Sequence, residues 1–387
     1  MDYKQLCQKY NFEMPAYAKE YFEDFLAEYK REIPVLSAEN AAYVADSTSL
    51  PEDGKQALIS CAEIINADDN AHLCASFLAY ITVYKRVPWV NYIYQDDLFT
   101  VDGLKPEQVG WVLVATQLAN TLINKKPPKD LNEENTNAFR GYSQACFSQN
   151  GYWGILEWHW NMLCAGGCMF MFGVLKFVPG EFTGDYPVIT DGSRYVSLIG
   201  GEYFIGKDGE LVDSEEKSAG KTSFYEDAEK YIGHVVSPDG KVAYESTEFS
   251  KSVWKDYLRG GTHTIEIHIP SKIQYVPETI KDAYKQAVEF FKGFYPQHKP
   301  KAIAGFSWIF SPQLEKVLPE TSNILAVNRS MHILPSTGSF GADCRFVRQG
   351  SSLQKRMAVE CEKGTEFHYA VMYTAIDEID TFGTPVK

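Results

Sequence analysis

The segment of this chain with the most to offer chemically is Thr264-Ile265-Glu266-Ile267-His268-Ile269. Its strict alternation predicts a β-strand with the isoleucines on one face and Thr264, Glu266 and His268 on the other. A histidine titrating near pH ~6.5, or a glutamate raised by burial, can accept or relay a proton at neutral pH. The same pair falls short of a metal centre, because a catalytic zinc usually takes three protein ligands and the sequence nearby supplies no third. A plainer reading has His268, close to Pro270, tying down its own loop.

Other combinations are weaker. Gly305-Phe306-Ser307-Trp308-Ile309 resembles the turn that presents a nucleophilic serine, but that turn needs a small residue where Ile309 stands. Ser307 on a buried strand, bonded to its neighbours, is the ordinary alternative. Gly220-Lys221-Thr222 ends like a phosphate-binding loop, yet Glu215 occupies the position of the first glycine, so a surface turn is expected. Cys164 and Cys168 lack zinc spacing and a partner pair, and read as buried thiols. Two locally basic stretches remain, the lysines between 271 and 301 and the run Arg348-Gln349-Gly350-Ser351; each can receive a phosphate or simply face solvent.

The elements that must position these groups divide the chain by period. Residues 1–165 read as helical: Ala18, Tyr21, Phe22, Phe25, Leu26 and Tyr29 recur at helical spacing, as do Cys74, Phe77, Leu78, Ile81 and Tyr84. Pro106 sits as a first-turn proline before Val109, Val112, Leu113, Leu118, Leu122 and Ile123, and Lys125-Lys126-Pro127-Pro128 closes that run. The polar stretch 127–138 is expected to be a loop, and Tyr152 to Leu163 a fourth helix. From 166 to 387 the texture is β-rich or α+β, punctuated by Asp-Gly and Gly-Gly turns, with a solvated hairpin or insertion at 205–224. Ile280, Ala283, Tyr284, Ala287, Val288 and Phe291 mark a long amphipathic helix. Strands are expected at Lys301 to Phe310, near Ile324 to Val327 and at Phe367 to Ile376, with a short helix from Pro312 to Val317. Strand, helix, strand, helix, strand implies a right-handed crossover and a mixed sheet.

Composition narrows the classes. With 51 Asp plus Glu against 37 Lys plus Arg, the net charge is -14. No global positive field exists to gather phosphates, which argues against wholesale nucleic-acid or anionic-membrane binding. Eight scattered cysteines suit reduced thiols, and the first residues lack a secretory pattern, so the cytoplasm is the expected compartment. The most apolar stretch, Met162 to Val178, is broken by Gly166-Gly167 and carries Lys176, and reads as a buried helix running into a strand.

A resemblance then comes into view. Ser237-Pro238-Asp239-Gly240-Lys241-Val242, Trp254 to Leu258, Gly260-Gly261, His268-Ile269-Pro270, Phe290-Phe291, Phe294-Tyr295-Pro296, Phe306-Ser307-Trp308, Ser311-Pro312-Gln313-Leu314, Leu318-Pro319 and Ser322-Asn323-Ile324 occur in order. Together with Trp158 and Phe170 to Phe177, this pattern resembles the bacterial acyltransferase family with a helical N-terminal domain and a GNAT-like C-terminal domain. The resemblance implies an α+β chain: helices over 1–165, then over 166–387 a mixed sheet with helices on both faces. It further implies that the strand Thr262 to Ile269 splays from the parallel strand Lys301 to Phe310, leaving a cleft for acyl-CoA or acetyl-CoA as co-substrate. In such enzymes a glycine-bearing loop cradles the pyrophosphate; here the loop Pro270 to Pro277 has no glycine.

The chemistry implied is direct attack by an amine or alcohol on a thioester, without metal. Glu266 or His268 would be the base, backbone N–H groups around Ile267 to Ile269 the oxyanion donors, and Ser271 with Lys272 the phosphate contacts; Ser307 and Asn323 are further cleft residues. The small-molecule acceptor and oligomeric state stay open. So do two other classes: a serine hydrolase relying on Ser307, and a non-catalytic ligand- or partner-binding protein on the same fold.

Overall fold

The computed structural model describes residues 4–5, 18–81, 101–125, 129–166 and 169–386. Cys7, Tyr84, Lys126, Pro127, Pro128, Gly167 and Cys168 therefore lie outside the described residues. The chain divides into two compact units, Met1–Phe170 and Met171–Lys387.

The first unit is built from α1 (Ala18–Glu28), α2 (Ala38–Ser47), α3 (Glu52–Ala67), α4 (Asp69–Ala79), α5 (Pro106–Asn120), α6 (Lys129–Asn150) and α7 (Trp158–Ala165). Every residue of α5 from Val109 to Ala119 is buried, so this helix, apolar on all sides, is the centre of the unit. Pro106 opens it, and the Gln108 side chain accepts a hydrogen bond from Lys105 N–H at 3.0 Å. Trp111 stacks between Phe139 and Trp153, both rings 6.3 Å away. The tryptophans thus fill a core, with Trp158 also fully buried.

Two expectations fail in this unit. Residues 129–138 of the stretch read as a loop belong to α6, a 22-residue helix beginning at Lys129. Its buried stripe is Asn135, Phe139, Ser143 and Cys146, and two polar members hid the helical period from a hydrophobic count. The fourth helix expected from Tyr152 starts only at Trp158, because the chain turns at Gly151 (φ 77°) and at Glu157 (φ 50°).

The second unit holds a six-stranded sheet in the order β1 (Phe170–Phe172), β2 (Leu175–Glu181), β12 (His263–His268), β13 (Ala302–Ser307), β15 (Phe367–Ala375), β14 (His332–Phe340). β12 and β13 are parallel; β2, β15 and β14 pair antiparallel with their neighbours. The crossover between the parallel strands is α8 (Pro277–Phe294), which buries Ile280, Ala283, Tyr284, Ala287 and Phe291. Each large side chain in that stripe contributes roughly 1.5–3 kcal/mol of burial. Tyr284 meets Phe177 edge to face at 6.1 Å, so α8 lies on the face shared by Phe177 and the isoleucines of β12.

The opposite face, that of Glu266, is covered in part by a second sheet ordered β10 (Val242–Ser250), β9 (Lys230–Val236), β4 (Tyr195–Leu198), β3 (Val188–Thr190), β11 (Lys255–Leu258), with β8 (Phe224–Glu226) beside β9. Val188, Ile199, Val236, Val242 and Leu258 pack there against Ala302, Ala304, Leu334 and Tyr373. Met357 of α10 (Ser352–Glu362) joins Leu314, Val317 and Phe367 in a further cluster on that face. Helices therefore cover both faces of a mixed sheet in this unit.

Three local expectations need correction. Ile324 to Val327 lies in a helix, α9 (Asn323–Asn328), since an apolar run this short does not distinguish helix from strand. The strand expected to reach Phe310 stops at Ser307 and gives way to a 3-10 turn, Trp308–Phe310. Thr222 sits in no exposed turn but is buried, donating to Gly201 O and accepting from Tyr203 N–H, next to the small sheet of β5 (Phe204–Gly206), β6 (Leu211–Val212) and β7 (Ser218–Lys221).

Candidate functional site

β12 and β13 are registered at Thr264 with Ala302, Ile265 with Ile303 and Glu266 with Ala304. Their pairing ends there, although β12 continues beside β2 to His268 and β13 continues beside β15 to Ser307. The two strands thus part with their backbone edges facing each other, and N–H and C=O groups along Ile267–His268 and Gly305–Ser307 leave the ladder. Extending the register sets Ile267 opposite Gly305 and His268 opposite Phe306. On the α8 face the opening is tight: a Cβ on Gly305 would lie 2.8 Å from Ile267 Cγ1. Only glycine allows Ile267 to lean across at this position.

On the other face stand Glu266 and His268, with His268 Nε2 3.9 Å from Glu266 Oε1. Solvent reaches 48% of the Glu266 side chain and 25% of His268, so each is partly withdrawn from water. That loss of water raises the Glu266 pKa above its ordinary value. Burial, aided by the Lys176 ammonium on β2, pushes His268 down to about 4. At neutral pH the imidazole is therefore uncharged, and the carboxylate is a stronger base than a fully hydrated one. Room for the carboxylate comes from Gly180 of β2, whose missing Cβ would stand 3.3 Å from Glu266 Cβ and 3.5 Å from Oε2.

The loop after β12 turns at Ser271 and Lys272, and Lys272 takes the left-handed conformation (φ 64°) usually left to glycine. Both residues are exposed, ahead of the α8 N-terminus at Pro277. Three lysines of the basic stretch are engaged elsewhere. Lys281 donates to Asp380 O, Lys285 pairs with Asp380 at 2.7 Å, and Lys301 donates to Tyr257 O at 3.1 Å. Arg348-Gln349-Gly350-Ser351 leads into α10, whose first turn is closed by the protein itself: Ser351 Oγ accepts from Gln354 N–H and Gln354 Oε1 accepts from Gly350 N–H.

Glu266, Ile267 and His268 are thus gathered on one strand at the opening, with Ile269, Ser271 and Lys272 just beyond it. Ser307 borders the same opening from β13, but its register with Ala370 turns it to the α8 face, and its Oγ accepts from Ile309 N–H at 3.4 Å. That is the local bonding of an ordinary serine. Asn323 opens α9. Among the described residues, no group of three or more His, Cys, Asp or Glu could hold a metal. Four of the free cysteines, Cys61, Cys74, Cys146 and Cys164, are buried, while Cys344 and Cys361 are partly exposed. No described helix is long and apolar enough to cross a membrane.

Sequence reasoning missed Lys176, Gly180 and Phe306 as site neighbours. Lys176 inside an apolar run was the one local signal. The other two become meaningful only once β2 and β13 are placed beside β12.

A mixed sheet whose central parallel strands, joined by an α8-type crossover, separate toward their C-terminal ends defines a GNAT-like fold. Residues 169–371 match the family model described as GNAT-like C-terminal domain, and the chain belongs to that family. Solved structures with the same fold include an acyltransferase variant in complex with octanoyl-CoA, at 13% identity and TM-score 0.56, covering 97% of this chain and 99% of that one. A second is an acyltransferase in complex with decanoyl-CoA and teicoplanin, at 13% identity and TM-score 0.54, covering 97% and 100%. A third is an acyltransferase in complex with CoA and 10C-teicoplanin, at 14% identity and TM-score 0.55, with the same coverage. No curated protein matches the chain.

Proposed function

We propose that this protein is an acyltransferase of GNAT type that moves an acyl group from acyl-CoA to an amine or alcohol on a small molecule. The observation that carries the reading is the parting of β12 from β13 directly after the Glu266–Ala304 pair, with a raised-pKa carboxylate at the fork. The residues fit an acyl-CoA arm. An extended pantetheine chain can pair with the unladdered edges of the strands, and Ser271, Lys272 and the α8 N-terminus can meet phosphate despite the glycine-free loop.

Acyl-CoA supplies an electrophilic thioester carbonyl. Glu266 removes the proton from the acceptor's nitrogen or oxygen as that atom forms its bond to the carbonyl carbon. Backbone N–H groups around Ile267 to Ile269 stabilise the negative charge on the carbonyl oxygen. The carbon–sulfur bond then breaks, and the proton held on Glu266 passes to the departing thiolate directly or through water. His268, neutral at pH 7, serves as a hydrogen-bonding relay rather than a fixed positive charge.

Thermal unfolding of the full chain with decanoyl-CoA, acetyl-CoA and free CoA tests the reading. Ligand at about a hundred times its dissociation constant adds about 2.7 kcal/mol, a rise of several degrees. A melting temperature unmoved by all three removes acyl-CoA from the function.

A further inference from the structure

On β13 the register puts Ala302, Ala304 and Phe306 on the face of Glu266. Ala302 and Ala304 are buried, whereas Phe306 is 58% exposed. Cover over this face therefore ends between Ala304 and Phe306, and a large apolar ring is left to water beside the opening. The ring is also held in place. It stacks on Tyr369 of β15 at 5.4 Å and 26°, and Tyr369 packs in turn on Phe340 of β14 at 4.9 Å. The Tyr369 hydroxyl lies 3.7 Å from Cys344 Sγ, which ties the shelf to the loop after β14.

We propose that Phe306, backed by Tyr369, is the acceptor subsite for an aromatic group, so that the acceptor is an aryl-bearing amine or alcohol. The inference rests on the reading above of Glu266 as the group receiving the acceptor's proton. Phe306 is two residues along β13 from Ala304, the register partner of Glu266, and two residues of strand span about 7 Å. A nucleophile separated from a ring by two or three carbons bridges that span. A flat ring can slide over Phe306 in an offset stack and displace water from its exposed surface. The α8 face of the opening, closed by Ile267 over Gly305, offers no comparable shelf.

The test is binding of 3-phenylpropylamine and hexylamine to the full chain, measured by calorimetry for the wild type, Phe306→Ala and Phe306→Trp. We expect Phe306→Ala to weaken 3-phenylpropylamine about fivefold while leaving hexylamine within twofold, and Phe306→Trp to retain the aromatic amine. Equal weakening of both amines, or no preference of the wild type for the aromatic one, overturns the subsite. A parallel decanoyl-CoA titration separates the two readings, because loss of CoA binding with the aromatic preference intact sinks the transferase and leaves the shelf standing.

Discussion

Across one transverse row of the large sheet stand Val178, Glu266, Ala304, Tyr373 and His332. Near Glu266 and near His332 this row brings a histidine and a glutamate together, and the fold treats the two pairs differently. At the β14 end, His332 stacks flat on Tyr373 at 4.5 Å, and its Nε2 meets both Glu378 oxygens at 3.1 and 3.2 Å. Tyr373 continues the contact into the second sheet through Ser197 at 3.0 Å. At the β12 end, Glu266 and His268 stay 3.9 Å apart beside an opening, with the carboxylate raised and the imidazole lowered. His332, bonded to Glu378 and stacked on the tyrosine that reaches Ser197, sits in the seam between two sheets. A pair held apart in poor solvation keeps the imidazole uncharged and makes the carboxylate a stronger base.

If that contrast is right, the largest effect belongs to activity at the open pair. Replacing Glu266 and His268 together by Gln should lower kcat/KM for acyl transfer by about a hundredfold or more while preserving acyl-CoA binding; unchanged turnover would end both roles. The closed pair should instead register in stability. His332→Ala should cost about 2–4 kcal/mol in urea unfolding, against under about 1 kcal/mol for His268→Ala, and equal costs would erase the distinction.

Gly305 sits where the two regimes meet. Gly305→Ala drives a methyl against Ile267 Cγ1 and should cost about 1–3 kcal/mol in urea unfolding. The smallest effects are protonic. His268 titrates near 4 when folded, so on acidification the unfolded chain takes up its proton first and stability falls as the pH drops from about 6.5 toward 4. His268→Gln should flatten that part of a Tm-versus-pH curve. For Glu266 the folded pKa is raised, so ionisation above it disfavours the folded state, and Glu266→Gln should raise Tm slightly at pH 7 even as it lowers acyl transfer.

The elements that could be read in advance are those whose local pattern coincides with their burial. β12 alternates because one face packs against α8, and α8 repeats because one stripe packs against β12 and β2. α6 escaped notice because Asn135 and Ser143 occupy its buried stripe, and the Asn323–Asn328 helix because a few apolar residues fit either period. β14 gave little sign of itself, interrupted by Pro335 and a register shift before Ser339. Of the site, Glu266 and His268 were visible as one face of one strand. Their opposed pKa shifts were not, since desolvation is supplied by residues distant in sequence.

The sequence by itself determined the division into helical and β-rich halves, the strand carrying Glu266 and His268, and the amphipathic crossover that follows. All of these are local periodicities, imposed by 3.6-residue and two-residue repeats of the backbone. Tertiary structure alone decided where β12 leaves β13, that Gly180 makes room for the carboxylate, that Lys281 and Lys285 are taken by Asp380, and that Phe306 lies bare across from His268. Those outcomes depend on which segments become neighbours, and pairing between distant strands is settled by burial summed over the whole unit rather than by any short run of residues.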